Sequence, residues 1–224
     1  MRRLTHRKEY TMNYYIGLSL TSGSTLDSGL AILDEELNLI LVDKFYKMND
    51  IIFFFENYNS IKQSKICVSL PWDRTLLEGK WRILSKPYQM VATNSHIKNI
   101  DNWTQRYSSR GCEFFNELIA QGIDITRFEL YITRQSLHLN SCYRERTPAD
   151  CKFLQQILTN EWGMNLPVNM MPMSQLEAIT GAILAWENTN NPQNVKILFE
   201  FKNQKVIDIK SRTNAKFLRK SLIT

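Results

Sequence analysis

Near its N-terminus the chain has three apolar segments separated by short polar turns. Residues 13–21 (NYYIGLSLT), 28–35 (SGLAILDE) and 37–47 (LNLILVDKFYK) are rich in aromatic, leucine and β-branched residues, which are typical of strands. The second and third segments are joined by a turn of only a few residues. This arrangement predicts an antiparallel meander of three strands.

A helix and a buried strand are predicted next. In residues 49–61 (NDIIFFFENYNSI) apolar side chains recur at roughly helical spacing, and Asn49 or Asp50 can cap the helix. Residues 65–70 (KICVSL) form a short apolar run closed by Pro71. Such a run is typical of a parallel strand that is buried on both faces.

The second half of the chain contains clear helix boundaries. Residues 71–110 predict no regular element. Thr147 is expected to be an N-cap with Pro148 in the first turn, and Ser174 with Glu177 has the spacing of a capping box. Glycines follow two of the helices. The predicted elements are helices 111–123, 146–163 and 174–188, a strand 127–134, and a closing hairpin 195–210.

A meander followed by alternating helices and strands predicts an α/β fold. Its sheet should be mixed, with three antiparallel strands and then parallel strands, flanked by helices and followed by a C-terminal hairpin. We expect one domain over residues 13–210, with a flexible basic arm at 1–12 and a basic tail at 211–224.

The net charge of +6 on 224 residues is concentrated at the two ends. Residues 1–9 carry three Arg and one Lys against one Glu, a sum of +3, and residues 210–224 carry three Lys and two Arg, a sum of +5. The rest of the chain therefore sums to −2. Basic ends can bind phosphate backbones without reading base sequence, and they are equally often solvated tails.

Composition predicts a globular protein with no membrane contact. No segment approaches the roughly 18 apolar residues that a membrane helix needs, and the N-terminus lacks the apolar core of a secretory signal. The four cysteines are scattered, without the spacing of a zinc site. Reduced thiols in a cytoplasmic protein are the simplest expectation. The sequence gives no oligomeric state.

The ordered set of segments resembles the ribonuclease H-like superfamily, and within it the family of predicted RNase H-like nucleases of unknown function. The similarity extends over roughly residues 13–210. It rests on an ordered series of motifs: YYIGLSL, SGLAILDEEL, ICVSLPW, RGCEFFNELIAQGI with FELYITR, RTPADCKFLQQIL, SQLEAITGAILAW and ILFEFKNQKVIDI.

The resemblance implies a metal-dependent nuclease whose acids bind Mg²⁺ or Mn²⁺ at the strand ends. Two such ions about 4 Å apart activate a water and stabilise the leaving oxygen of a phosphodiester. Two positions where the family usually has an acid carry Ser19 and Ser69. The resemblance places one acid at Glu177 and allows an active-site role for Glu129, at the start of a strand. Asp73, four residues after Ser69 at the same edge, could supply a displaced carboxylate. We expect these three to be the catalytic acids, with Glu177 and Asp73 as metal ligands.

Each of these acids has a second interpretation. Glu177 fits the capping box with Ser174, Glu129 could be an exposed residue at a strand end, and Asp73 could be a turn residue. Asp27, in the first hairpin turn, is an outside candidate because it is the acid closest in sequence to Ser19.

Residues 72–89 interleave aromatic and basic side chains. Aromatic rings that stack on bases and cations that contact phosphates are typical of single-strand binding surfaces, although a loop anchored by its tryptophans has the same composition. Arg144 and Arg146 precede a predicted helix N-terminus, where a phosphate could bind. The nucleic-acid contacts expected within 72–89 are Trp72, Arg74, Lys80, Trp81 and Arg82.

Three hypotheses follow. The first is an RNase H-like nuclease that hydrolyses nucleic-acid phosphodiesters, with the substrate class open. The second is a catalytically inactive RNase H-like module that binds nucleic acid or a protein partner. The third is an actin-like phosphotransfer domain, suggested by the Gly-Ser-Thr turn at 23–25. Ser19 and Ser69 favour the second hypothesis over the first.

Overall fold

The structure is a computed structural model, and it describes the chain in seven ranges. Residues 71–119, which contain several of the predicted contacts, lie outside these ranges, as do both basic ends. The described residues are 13–20, 27–57, 64–69, 120–139, 141–144, 146–201 and 204–210.

Strands and helices alternate after an initial run of strands. The strands are β1 (Tyr15–Ser19), β2 (Ser28–Leu33), β3 (Leu39–Phe45), β4 (Lys65–Ser69), β5 (Ile125–Phe128), β6 (Val195–Phe201) and β7 (Gln204–Ile209). The helices are α1 (Met48–Asn57), α2 (Leu130–Ser136), α3 (Pro148–Asn160) and α4 (Met173–Asn190), and a short 3₁₀ turn covers Pro192–Asn194.

The described strands form one mixed sheet of seven strands in the order β3-β2-β1-β4-β5-β7-β6. Strands β1, β2 and β3 are antiparallel neighbours, β1, β4, β5 and β7 run parallel, and β6 closes the sheet as the antiparallel partner of β7. The predicted fold class is therefore confirmed: an RNase H-like α/β arrangement with a meander, parallel strands and a C-terminal hairpin.

Alternation along the strands divides the core into two layers. In β1, Tyr15 packs in the layer formed with α3 and α4, whereas Ile16 and Leu18 pack in the layer that includes Ile51 and Phe55 of α1. Successive side chains of a strand point to opposite faces. A residue's parity on β1, β4 or β5 thus shows which helices it faces.

Helix α4 lies directly against the backbone of β1 and β2. A Cβ built on Gly17 would lie 1.8 Å from the carbonyl oxygen of Ala178, and one built on Gly29 would lie 1.9 Å from that of Ser174. Only glycine permits such an approach. The two glycines therefore set the distance at which side chains of α4 meet the end of the sheet.

The predicted strand 127–134 is wrong beyond Phe128. Strand β5 ends at Phe128, and α2 begins at Leu130. The burial of Leu130, Thr133, Arg134 and Leu137 follows helical spacing. The segment beyond Phe128 is a short helix on which polar as well as apolar residues are buried.

The boundaries of α3 agree with the predicted signals. Thr147 is the N-cap, and its hydroxyl oxygen accepts a bond from the backbone N–H of Asp150. Gly163, just beyond the helix, has φ +66°, a conformation that favours glycine.

Within the described residues, no helix has both the length and the apolar character to cross a membrane.

Candidate functional site at the ends of strands β1 and β4

Two buried serines lie side by side where β1 and β4 end. Ser19 and Ser69 are partners in the parallel register of these strands, and both are fully buried. By strand parity both lie on the α4 face of the sheet. We call this region, where β1, β4 and β5 finish and β2 begins, the Ser19 end of the sheet.

Glu177 of α4 reaches the same place. The Ser19 hydroxyl donates to Glu177 Oε2 over 2.7 Å, across 158 residues of sequence. Glu177 is 1% exposed. The structure thus brings Ser19, Ser69 and Glu177, three positions that the resemblance assigns to metal-binding acids, to one face and one end of the sheet.

The capping-box interpretation of Ser174 and Glu177 is wrong. The N-cap of α4 is Pro172, which makes no side-chain capping bond. The Ser174 hydroxyl instead donates to Asp27 Oδ2 over 2.6 Å. Ser174 is therefore the second residue of the helix and not its N-cap; its side chain bonds at the start of β2, and that of Glu177 bonds to Ser19.

Arg146 is the main partner of Glu177. Its Nη2 donates to Glu177 Oε1 over 2.7 Å and to Oε2 over 2.9 Å. The Arg146 side chain is 35% exposed, so the guanidinium lies between Glu177 and solvent. The sequence predicted Arg146 as a phosphate contact but gave no signal for this pair, because 31 residues separate the partners.

Asp150 holds the backbone of Arg146. Arg146 has φ +58°, a conformation that most side chains disfavour, and its N–H donates to Asp150 Oδ2 over 2.9 Å. Asp150 is fully buried. Its Oδ1 accepts from Arg134 over 3.1 Å and from Ser141 over 2.6 Å. No local pattern in the sequence predicts this role, because Arg134 and Ser141, which bond to Asp150, precede the helix by several residues.

A buried thiol lies next to this network but is not poised as a nucleophile. Cys151 is 7% exposed. Burial, with the charges of Asp150 and Glu177 nearby, raises the pKa of the Cys151 thiol. The thiolate is the reactive form, so Cys151 is not activated as a nucleophile.

Glu129 lies past the end of β5, but the structure does not bring it to Glu177. Phe128 faces α4, where its ring lies against Gly181, and Arg127 therefore points to the opposite face. Glu129 Oε1 accepts from Arg127 Nη2 over 2.6 Å. Burial disfavours the ionised carboxyl more than Arg127 favours it, which raises the pKa of Glu129 to about 7.

The remaining predicted residues divide into two groups. Arg144 is exposed, just before Arg146 in the segment that leads to α3. The others lie outside the described residues: Trp72, Asp73, Arg74, Lys80, Trp81 and Arg82.

The donors at the Ser19 end of the sheet do not fit Mg²⁺ or Mn²⁺. These ions are held by several carboxylates in two-metal centres. Among the described residues, the three positions that the resemblance assigns to acids carry two serine hydroxyls and the Glu177 carboxylate, which is already paired with Arg146, and Asp27 nearby is bonded to Ser174. In the part of the chain that the structure describes, no three His, Cys, Asp or Glu residues are grouped to hold a metal.

Comparison with known proteins identifies no family. No protein-family model matches the chain, and no curated protein matches it. Among solved structures, T. thermophilus RuvC in complex with Holliday junction substrate is similar with a TM-score of 0.47 and 8% identity, over 80% of this chain and 96% of that chain. Both values are too low to carry an argument, so the fold class rests on this chain's own strand order and register.

Proposed function

We propose that this protein is an RNase H-like module that binds nucleic acid without metal-dependent hydrolysis. The observation that supports this most directly is the pairing of Glu177 with Arg146 and Ser19. At the strand ends where the superfamily would gather acids, the Glu177 carboxylate is neutralised by a guanidinium. A phosphodiester placed there would meet a positive side chain rather than a metal-bound water.

The charges favour nucleic acid over other partners. Only the Nη2 group of Arg146 is bonded among the described residues, so the other guanidinium N–H groups can donate to a phosphate oxygen. Arg144 offers a second exposed cation two residues away. Residues 1–9 and 210–224 add formal charges of +3 and +5, which suit non-specific contact with phosphates.

Hydrolysis by two metal ions remains the competing proposal that the resemblance implies. It would need carboxylates in addition to Glu177, and Asp73 is the predicted source. The same experiment can test both proposals if binding and cleavage are measured side by side.

The test is fluorescence anisotropy with labelled single-stranded DNA, single-stranded RNA, duplex DNA and a four-way junction. Each is titrated over a salt series in EDTA, in Mg²⁺ and in Mn²⁺, and each mixture is then run on a denaturing gel. We expect binding in EDTA, weakening with salt, and no cleavage. Cleavage that requires Mg²⁺ or Mn²⁺ would overturn the metal-free proposal, and absence of binding to all four would overturn the nucleic-acid proposal.

Matched variants show whether the Ser19 end of the sheet makes the contact. Arg144→Gln and Arg146→Gln should each weaken binding and reduce the slope of log K against log salt by about 0.7 to 0.9, the value for one lost phosphate contact. Lys65→Gln is the control, because Lys65 begins β4 at the opposite end of the strand from Ser69. An equal loss in Lys65→Gln would mean that the arginines contribute only general charge.

A further inference from the structure

We propose that Arg146 is a built-in cation that replaces a divalent metal at Glu177, and that Asp150 is the residue that positions it. This inference depends on the metal-free part of the proposed function and not on nucleic-acid binding. It assigns a role to two residues that no sequence motif connects.

The first step concerns the carboxylate. Both oxygens of Glu177 accept from Arg146 Nη2, and Oε2 also accepts from Ser19. A divalent ion would have to bind the same two oxygens. It would also approach a guanidinium of like charge that lies within 2.9 Å of them, and like charges repel strongly away from bulk water. Arg146 therefore competes with a metal both for ligands and by charge.

The second step concerns the backbone. An arginine at φ +58° is held against its own conformational preference. Asp150 supplies the restraint, since its Oδ2 accepts the N–H of Arg146 while Arg134 and Ser141 bind its Oδ1. Asp150 is fully buried and cannot contact a ligand. Its effect on the site must pass through Arg146.

The third step distinguishes this role from an ordinary surface ion pair. In an ion pair exposed to solvent, water and salt screen the charges, so replacing the cation would change the metal affinity of its carboxylate only slightly. A resident cation would leave behind a carboxylate that accepts a metal. Metal access to Glu177 is therefore the informative measurement, and stability is not.

The experiment uses Mn²⁺ alone as the probe on the full ¹⁵N-labelled chain. Mn²⁺ broadens the NMR signals of nuclei near its binding site, so the amide signals of Ser19 and Glu177 report binding even when it is weak. In Arg146→Gln, which removes the charge but keeps a polar side chain, we expect these signals to broaden at a Mn²⁺ concentration at least tenfold lower than in wild type. Arg146→Lys, which keeps the charge, should behave as wild type.

Two further variants complete the test. Arg144→Gln removes a neighbouring arginine and should match wild type. Arg146→Gly is the alternative if Arg146→Gln does not fold, because glycine adopts a positive φ without strain. Its Ser19 and Glu177 signals should broaden at the same Mn²⁺ concentration as those of Arg146→Gln. Equal broadening of the Ser19 and Glu177 signals in wild type and in the variants that lack the Arg146 charge would overturn the proposal.

Asp150→Asn tests the positioning role. In wild type the Asp150 carboxylate accepts hydrogen bonds at both oxygens. Asparagine replaces one of these oxygens with an N–H₂ group, which cannot accept, so the restraint on Arg146 should be lost. We expect Mn²⁺ broadening at Ser19 and Glu177 between that of wild type and that of Arg146→Gln. A folded Asp150→Asn that matches wild type would overturn the assignment of Asp150. Because nucleic acid takes no part, failure of nucleic-acid binding would leave these results unaffected.

Discussion

Ser19 at the end of β1 and Glu177 in α4 are joined by a hydrogen bond of 2.7 Å between Oγ and Oε2. Both residues are almost completely buried. The bond fixes the helix to the sheet at the point where the resemblance would place metal-binding acids. It also uses one lone pair of a carboxylate that a metal would need, so the contact that stabilises this site opposes its use as a metal centre.

We predict that Ser19→Ala lowers the free energy of unfolding by roughly 1.5 to 3 kcal/mol, the range for a hydrogen bond to a charged group. Glu177 would remain buried with one partner fewer. Ser174→Ala is the matched control, since Ser174 donates to Asp27 over 2.6 Å but Asp27 is only partly buried. Water can replace the lost bond at Asp27, so the control should cost less. Urea unfolding of both variants checks this, and a larger loss in Ser174→Ala would contradict it.

The approach of α4 to β1 makes Gly17 a position with no room for a side chain. A Cβ there would lie 1.8 Å from the backbone oxygen of Ala178, so Gly17→Ala must displace the helix. We expect a loss of about 3 kcal/mol or more, at the upper end of the range for overpacking. Thermal and urea unfolding measure the loss.

Gly122 provides the comparison for Gly17. A Cβ on Gly122 would meet no atom within 4 Å, but its φ is +74°. Gly122→Ala should therefore cost only the conformational strain, about 1 to 2 kcal/mol. If the two variants lose equal stability, close packing is not what requires glycine at residue 17.

Local patterns predicted most of the sheet and failed where burial and partners are set by tertiary contacts. The meander and the terminal hairpin carry their signals in short turns and alternating apolar residues. Residues 130–134 show how this fails, because strand and helix periods cannot be told apart in so short a segment. Thr133 is fully buried, and its hydroxyl donates a hydrogen bond of 3.0 Å to Asp208, which is 75 residues away. No local sequence pattern encodes such a partner.

The candidate site was predictable in position but not in chemistry. The resemblance directed attention to Ser19, Ser69 and Glu177, and the structure places all three on one face at one end of the sheet. The pairing of Glu177 with Arg146 depends on how the segment before α3 folds back, and that segment is held by the buried Asp150. From the sequence around Asp150, only the helix N-cap at Thr147 could be predicted.

We predict that Arg146→Gly is more stable than Arg146→Ala by about 1 kcal/mol, because glycine adopts φ +58° without the strain that alanine carries. Both variants lose the same side chain and the same contact with Glu177. Their difference in chemical unfolding therefore reports the strain at this residue, less the larger backbone entropy that glycine loses on folding. An Ala variant as stable as the Gly variant would show that the backbone does not hold the left-handed conformation.

The buried pair of Glu129 and Arg127 should make stability depend on pH. Burial raises the pKa of Glu129 from 4.5 to about 7, so between these values the folded chain binds more protons at this residue than the unfolded chain does. The free energy of unfolding therefore falls as pH rises through this window. Integrated over the shift, the loss is roughly 3 kcal/mol.

The measurement is the difference in unfolding free energy between Glu129→Gln and wild type, determined by urea at several pH values from 4 to 8. Glutamine cannot ionise but can still accept the bond from Arg127. The unfolding free energy of the variant, relative to that of wild type, should therefore rise by roughly 3 kcal/mol as the pH increases across this range. Glu36→Gln is the control, because the Glu36 carboxyl is exposed in the turn between β2 and β3 and stays in water in both states. Parallel curves for wild type and Glu129→Gln would mean that Arg127 stabilises the ionised carboxyl enough to offset its burial.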